Sequence, residues 1–315
     1  MTIGHSLFRQ TVVAINPSKT LIRRKDEMVW MGSCFVQNME PFLTRFQYSA
    51  LVNPLGVVFH PIVMLRLLEM NANEILEKSF EGQSVWKNYW LAATFSGSET
   101  SIANAITQAV QIRNVNIKKA GWLVLTMGTA FWYQHKQLGL VGKCHKQAGN
   151  LFEKRRSDLT EIVVQFKQTI ENLRIGNPEL KVILTVSPVR HTRDGLAENS
   201  VSKSILRLAC LQLCEEVDQV FYFPAFEIVM DELRDYRFFG PDLVHPTEEA
   251  VAYIWSRFEE QFFSTEDRET NRQIQSYLKL KSHKPLVDFG FEFERWQQEL
   301  DHQSAQISSR IELGF

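Results

Sequence analysis

The chain has 315 residues, 44% of them hydrophobic and 23% charged, with 35 Lys plus Arg against 36 Asp plus Glu. That composition belongs to a globular protein long enough to bury a sizeable core, and the charge balance argues against a broad nucleic-acid or membrane-surface footprint. No apolar run reaches the length that crosses a bilayer, and "MTIGHSLFRQTVVAINPSKT" at the N-terminus lacks the apolar core of a signal peptide, so a cytoplasmic location is expected.

In chain order, five short apolar or β-branched segments bounded by breakers read as strands. They are "EMVWMG" (27–32), "YSALVNP" (48–54), "GWLVLTMG" (121–128), "LKVILTVSP" (180–188) and "QVFYFP" (219–224). Three are almost continuously apolar, as parallel strands covered on both faces should be. Helical patterns alternate with them: "FVQNMEPFLTRF" after the first, with Pro41 a kink or a start, and "PIVMLRLLEMNANEILEK" after the second. "LFEKRRSDLTEIVVQFKQTIENLR" precedes the fourth strand, "VSKSILRLACLQLCEEV" precedes the fifth, and "PTEEAVAYIWSRFEEQFF" follows it. The alternation predicts a three-layer α/β fold around a five-stranded parallel sheet. Its domain is expected over 1–263, with an insertion at about 75–120 that contains the aromatic "SVWKNYWLAATFSG". Residues 264–315 read as a charged C-terminal helical extension, packed on the domain or on a partner subunit in a homodimer.

Four cysteines, Cys34, Cys144, Cys210 and Cys214, are too few for a disulfide scaffold. Cys210 and Cys214 are one helical turn apart on an apolar face and read as structural. Cys144 and His145 stand side by side in "GKCHKQ", a poor zinc site without a second ligand pair, and are expected to line a cleft. A cysteine-based metal or redox site is the weakest reading of these residues.

In an open parallel sheet, ligands bind beyond the carboxyl ends of the strands. Gly32-Ser33-Cys34, Asn53-Pro54-Leu55-Gly56, Gly128-Thr129-Ala130 and Ser187-Pro188-Val189-Arg190-His191 fall there on four successive strands. Gly32 permits a sharp strand-to-helix turn, and the amides of Gly56 and Gly128 read either as oxyanion donors or as turn closures. Arg190 either clamps a substrate anion or pairs with Asp194 or Glu198 to hold its loop. Late in the chain, "GPDLVHPTEEA" places Asp242 three residues before His245, just ahead of a helix. A nucleophile needs a base, and the base needs a carboxylate that fixes its tautomer; the same residues also read as a helix cap.

"MGSCF", "NPLG", "LTMGTAFWY", "GKCHK", "SPVRHTRDGLAENSVSKSILR", "FPAFEIVMDELRDYRFFGPDLVHPTEEAV" and "SHKP" resemble, in that order, the GSCFA family, a relative of the SGNH or GDSL-like hydrolases. The resemblance spans the chain from the first strand to "SHKP". It implies a flavodoxin-like α/β/α fold and hydrolysis or transfer of an acyl ester, that of a glycan or small metabolite, without metal or organic cofactor. It assigns Asp242 and His245 to the late Asp-x-x-His motif and Gly56 to the glycine after the second strand. Two positions depart from it. Ala130 stands where such hydrolases carry an oxyanion asparagine, so Gly56, Gly128 and Thr129 are left to supply donors. In strict register Cys34 replaces the nucleophilic serine, with Ser33 the alternative. Asn53, His145, Arg190 and His191 are expected to contact substrate. The rival expectation is a non-catalytic module that binds a small ligand or glycan in the same cleft.

Overall fold

The structure, a computed structural model, describes residues 11–82, 85–95, 98–312 and 314. The first ten residues of the segment inspected for a leader, and the ends of "SVWKNYWLAATFSG", lie outside them.

The chain runs β1 (Met28–Gly32), α1 (Cys34–Arg45), β2 (Ala50–Val52), α2 (Pro61–Glu69) and α3 (Ala72–Leu76). The insertion follows with β3 (Ser79–Gly82), β4 (Val85–Asn88), β5 (Thr94–Phe95) and the long α4 (Glu99–Lys119). Next come β6 (Trp122–Met127), β7 (Phe131–His135), β8 (Gly139–Val141), β9 (Phe152–Arg156) and α5 (Leu159–Gly176). The chain closes with β10 (Lys181–Val186), α6 (Leu196–Glu216), β11 (Val220–Phe223), α7 (Ala225–Glu227), α8 (Glu248–Phe262), α9 (Thr265–Ser282) and α10 (Phe291–Glu312).

The expected five strands form one parallel sheet in the order β11-β10-β6-β1-β2. Strand alternation divides the core in two. Val29, Met31, Leu123, Leu125, Val182 and Leu184 face the cluster built by α2, α4, α5 and α6. Met28, Trp30, Trp122, Val124 and Ile183 face the cluster built by α1 and α8, to which α9 adds Ile274 and α10 adds Ile307. The apolar side chains of β1, β6 and β10 are buried on both faces, so each gains the transfer energy of a fully buried apolar side chain, roughly 1.5–3 kcal/mol for one of Leu size. On the second face, Trp255 of α8 stacks on Phe42 and Phe46 at the end of α1. The C-terminal extension is keyed by Arg24, which donates to Asn271 Oδ1 at 2.6 Å and lies 3.4 Å from Asp267 Oδ1.

Three segments depart from the periodicity. "LFEKRR", read as the start of a helix, is instead β9, paired antiparallel with β7. The helix starts only at Leu159, where Asp158 caps it by accepting from the Glu161 N–H. The 61–78 pattern splits into α2 and α3, because Asn71 and Glu74 form a reciprocal capping box that starts a new helix. α1 runs through Pro41 without ending there. Outside the parallel sheet, β3-β4-β5 and β8-β7-β9 form two small antiparallel sheets, and the second stands beside the carboxyl ends of the parallel strands. No helix among the described residues is long and apolar enough to cross a membrane.

Candidate active site

β1 neighbours β2 on one side and β6 on the other, so the chain reverses its direction of travel across the sheet between β1 and β6. Connections diverge at such a switch point and leave a crevice beyond the strand ends. Gly32-Ser33-Cys34 leaves β1 on one side of it and Gly128-Thr129-Ala130 leaves β6 on the other.

Gly32 makes the turn into α1 at φ +147°, and a Cβ there would lie 2.2 Å from the Thr126 carbonyl oxygen on β6. The Ser33 N–H donates to that same oxygen at 3.2 Å. A side chain at Gly32 therefore has to push β1 off β6 or tilt the start of α1. Gly32→Ala is expected to cost about 2–4 kcal/mol through strain and overpacking, read as a lower urea midpoint at unchanged m. A midpoint equal to that of the parent would show that the junction yields freely.

Ser33 caps α1: its hydroxyl accepts from the Phe35 N–H at 3.3 Å, and the residue is buried. Cys34 is the first residue of the helix, and its Sγ lies 3.5 Å from His245 Nε2. His245 Nδ1 is 2.5 Å from Asp242 Oδ2, while Asp242 Oδ1 accepts from the N–H groups of Val244 and His245 at 3.0 Å each. The hairpin around this pair is closed by Gly240 N–H to His245 O and by a bridge between Phe239 and Pro246. The backbone N–H of His245, then its ring, then the N–H of Val244 hold the Asp242 carboxyl well below the usual carboxylate range. Burial pushes the Cys34 thiol up; the N–H groups of Cys34 and Phe35 and the charges of Lys203 and Lys143 oppose that.

The other expected site residues are distributed as follows. The Gly56 N–H donates to Asn53 O at 2.7 Å, and those of Gly128 and Thr129 both donate to Phe59 O. Thr129 Oγ1 bonds Ser202 Oγ and accepts from Phe131 N–H, while Ala130 N–H donates to Ser202 Oγ. Asn53 accepts from the Gly32 N–H at 2.9 Å, and its own Nδ2 is buried without a partner among the described residues. His191 is held neutral, pushed down to about 4 by burial and then by Lys203, with its ring edge-on to Phe59. His145 Nε2 is 2.8 Å from Asn88 O. Arg190 does not pair with Asp194 or Glu198, which engage Lys154 and Arg156; its guanidinium meets the Met230 sulfur. Cys210 is fully buried and Cys214 packs on the same cluster.

Two lysines belong to the site although sequence reasoning passed over them. Lys203 of α6 is fully buried, and its ammonium donates to Gly128 O and Ser187 O at 2.7 Å each, tying together the ends of β6 and β10. Among the described residues it has no carboxylate partner; burial pushes it down to about 7, and the charge of Cys34 opposes that. Lys143 lies on the Phe59 ring at 4.1 Å and is pushed down to about 8 by burial, with Cys34 and Cys144 opposing. A lysine inside a helical pattern reads as solvated, so Lys203 carried no signal; Lys143, inside "GKCHK", was visible only as part of a motif.

Next to these groups opens a cavity of about 610 Å³, bounded by β7, the 141–147 loop, the start of α2 and the 191–194 turn. Among the described residues no group of three or more His, Cys, Asp and Glu could hold a metal ion.

The sequence pattern of the GSCFA family matches residues 27–258, which takes in the sheet, Cys34, Asp242 and His245. No curated protein matches the chain. Solved structures similar to it include a carbohydrate esterase family 3 protein from Talaromyces cellulolyticus, 9% identical, with a TM-score of 0.37 over 80% of this chain and 99% of that one. A family two carbohydrate esterase from Clostridium thermocellum, in complex with cellohexaose, is 12% identical with a TM-score of 0.38, over 84% of this chain and 67% of that one. A family 3 carbohydrate esterase from Clostridium thermocellum is 10% identical with a TM-score of 0.32, over 74% and 94%. Likeness this distant says nothing about chemistry.

Proposed function

We infer that this chain, which belongs to the GSCFA family, is an SGNH-like acyl hydrolase or acyltransferase that uses Cys34 as nucleophile, His245 as base and Asp242 to orient the imidazole. The observation that carries this reading is the continuous line Cys34 Sγ, His245 Nε2, His245 Nδ1, Asp242 Oδ2 at 3.5 and 2.5 Å. A carboxylate on Nδ1 leaves Nε2 free to accept a proton. His245 takes the thiol proton as Sγ attacks the ester carbonyl carbon, and the carbonyl electron pair moves onto oxygen. Collapse expels the alkoxide, which His245 protonates, and leaves an acyl thioester on Cys34. Water or an acceptor hydroxyl then gives its proton to His245, attacks the thioester and frees the thiol.

The developing oxyanion lies at the amino end of α1, where the Cys34 N–H has no carbonyl acceptor among the described residues and the helix dipole favours negative charge. The ammonium of Lys143 adds a positive charge nearby. Gly56, Gly128 and Thr129 would contribute amides only by giving up their present carbonyl partners. Ser33 is the weaker nucleophile candidate, since its hydroxyl is buried and turned to the Phe35 N–H.

Incubation with 4-nitrophenyl acetate is expected to release a burst of 4-nitrophenol close to one per chain and to leave an acetyl group on the peptide that holds Cys34. Cys34→Ala should abolish both, and an acetyl group found on Ser33 or nowhere would sink the assignment. The occupied amides of Gly56, Gly128 and Thr129 favour a second reading, a binding module that reuses the crevice. It gains if no burst occurs and a ligand stabilises the Cys34→Ala protein as much as its parent.

A further inference from the structure

The cavity lined by Phe59, Thr129 and Lys143 has a chemistry that the acyl-transfer residues do not account for. Its volume, about 610 Å³, suits a small molecule rather than a polymer surface. Phe59, Phe131 and Trp132 supply flat apolar wall, and Lys143, Lys146 and Arg193 supply charge. None of those three cations has a carboxylate partner among the described residues. The one acid on the lining, Asp194, is 2.5 Å from Lys154 and so is already neutralised. A partly buried cation without a counter-charge is costly unless something anionic arrives.

His60 and Trp132 close the inner wall: His60 is 4% exposed, and its ring nitrogens and the Trp132 indole N–H are shielded from the open space. The cavity wall is tied to the strand end that carries the nucleophile: the Val58 N–H, on the lining, donates to Gly32 O at 3.0 Å, two residues before Cys34.

We propose that this cavity receives the non-acyl half of the substrate, and that this half is a ring bearing a phosphate or carboxylate, its anion held by Lys143, Lys146 and Arg193 and its ring laid against Phe59 and Trp132. The proposal rests on the acyl-transfer reading of Cys34, since it assigns the leaving or accepting group of that reaction. A neutral glycan or alkyl ester leaves the half-buried Lys143 ammonium uncompensated and is disfavoured.

Calorimetric titration of the Cys34→Ala protein tests this without any acyl chemistry. Phenyl phosphate, benzoate or both are expected to bind about tenfold or more tightly than phenol, which has the ring without the charge, and than inorganic phosphate, which has the charge without the ring. A preference for phenyl phosphate assigns the anion as phosphate, and a preference for benzoate as carboxylate. Arg193→Met and Lys146→Met, both at exposed positions, should fold normally and together weaken binding by about tenfold. Phenol binding as tightly as the two anions, or affinity unchanged in the double variant, overturns the proposal. A parent protein that acetylates Cys34 from 4-nitrophenyl acetate while Cys34→Ala binds neither anion sinks the substrate class and leaves the nucleophile standing.

Discussion

His245→Ala is expected to slow acylation of Cys34 by about 10²–10⁴-fold at neutral pH, the range that general-base catalysis supplies. Burial holds the thiol above its ordinary value, so at neutral pH almost no thiolate exists without a base to take the proton. The imidazole 3.5 Å away is the base proposed for it. The sign of the pH dependence follows. As the pH rises past the thiol's own pKa, thiolate forms unaided, and the defect of His245→Ala should shrink toward the alkaline end. Asp242→Asn should give a smaller defect of the same shape, because the carboxylate acts by holding the ring and both side chains are about half exposed. Pseudo-first-order alkylation by iodoacetamide, followed from about pH 6 to about pH 10, reads these curves directly. A ratio of parent to His245→Ala rates that stays flat across that range would show that the histidine is a neighbour and not the base.

The sheet was legible in the sequence because its physics is local. A parallel strand with both faces covered must be apolar at nearly every position, and Trp122–Met127 and Val182–Val186 are so. The site was legible in outline, since strand ends in an open parallel sheet converge and an Asp-x-x-His turn carries its own geometry. What escaped depends on the third dimension. The charged Glu153–Arg156 run looks like the solvated face of a helix, and only its ladder with β7 makes it a strand. Nothing in "SVSKSILR" distinguishes Lys203, fully buried under two carbonyl oxygens, from a surface lysine. Glycines at strand ends suggest free amides, yet whether the N–H of Gly56 or Gly128 points at a ligand or at a carbonyl depends on how the 53–59 segment folds back. Ser33 and Cys34 differ by one residue of register at a helix start: the N-cap side chain folds onto the helix's own amides, and the next side chain reaches His245.

Below about pH 6.5 the protein is expected to lose stability steeply, because the fold holds two histidines neutral. Burial pushes His60 down to about 3 and His191 to about 4. For His60 only the nearby backbone of Ala130 opposes, and its ring otherwise faces Trp132. For His191, Lys203, Lys143 and His245 add to the depression and Asp194 opposes it. In the unfolded chain both rings take up a proton near the ordinary value of about 6.5, so between that value and the folded pKa the unfolded state binds more protons. Stability therefore falls as pH falls through this window, by about 1.4 kcal/mol per pH unit for each histidine. By about pH 4.5 the pair costs roughly 5 kcal/mol, as much as the whole net stability of many domains. Glu259 and Asp267, whose carboxyls burial raises, work in the opposite direction over the carboxylate range. Lys203 is protonated in both states below about 7 and adds nothing to the slope there. Urea midpoints in a pH series should fall accordingly, and His60→Phe and His191→Gln should each remove about half of the slope. His60→Phe gives up only the ring's contact with the Ala130 backbone, so a fold that keeps its full acid sensitivity in both variants would place the responsible protons elsewhere.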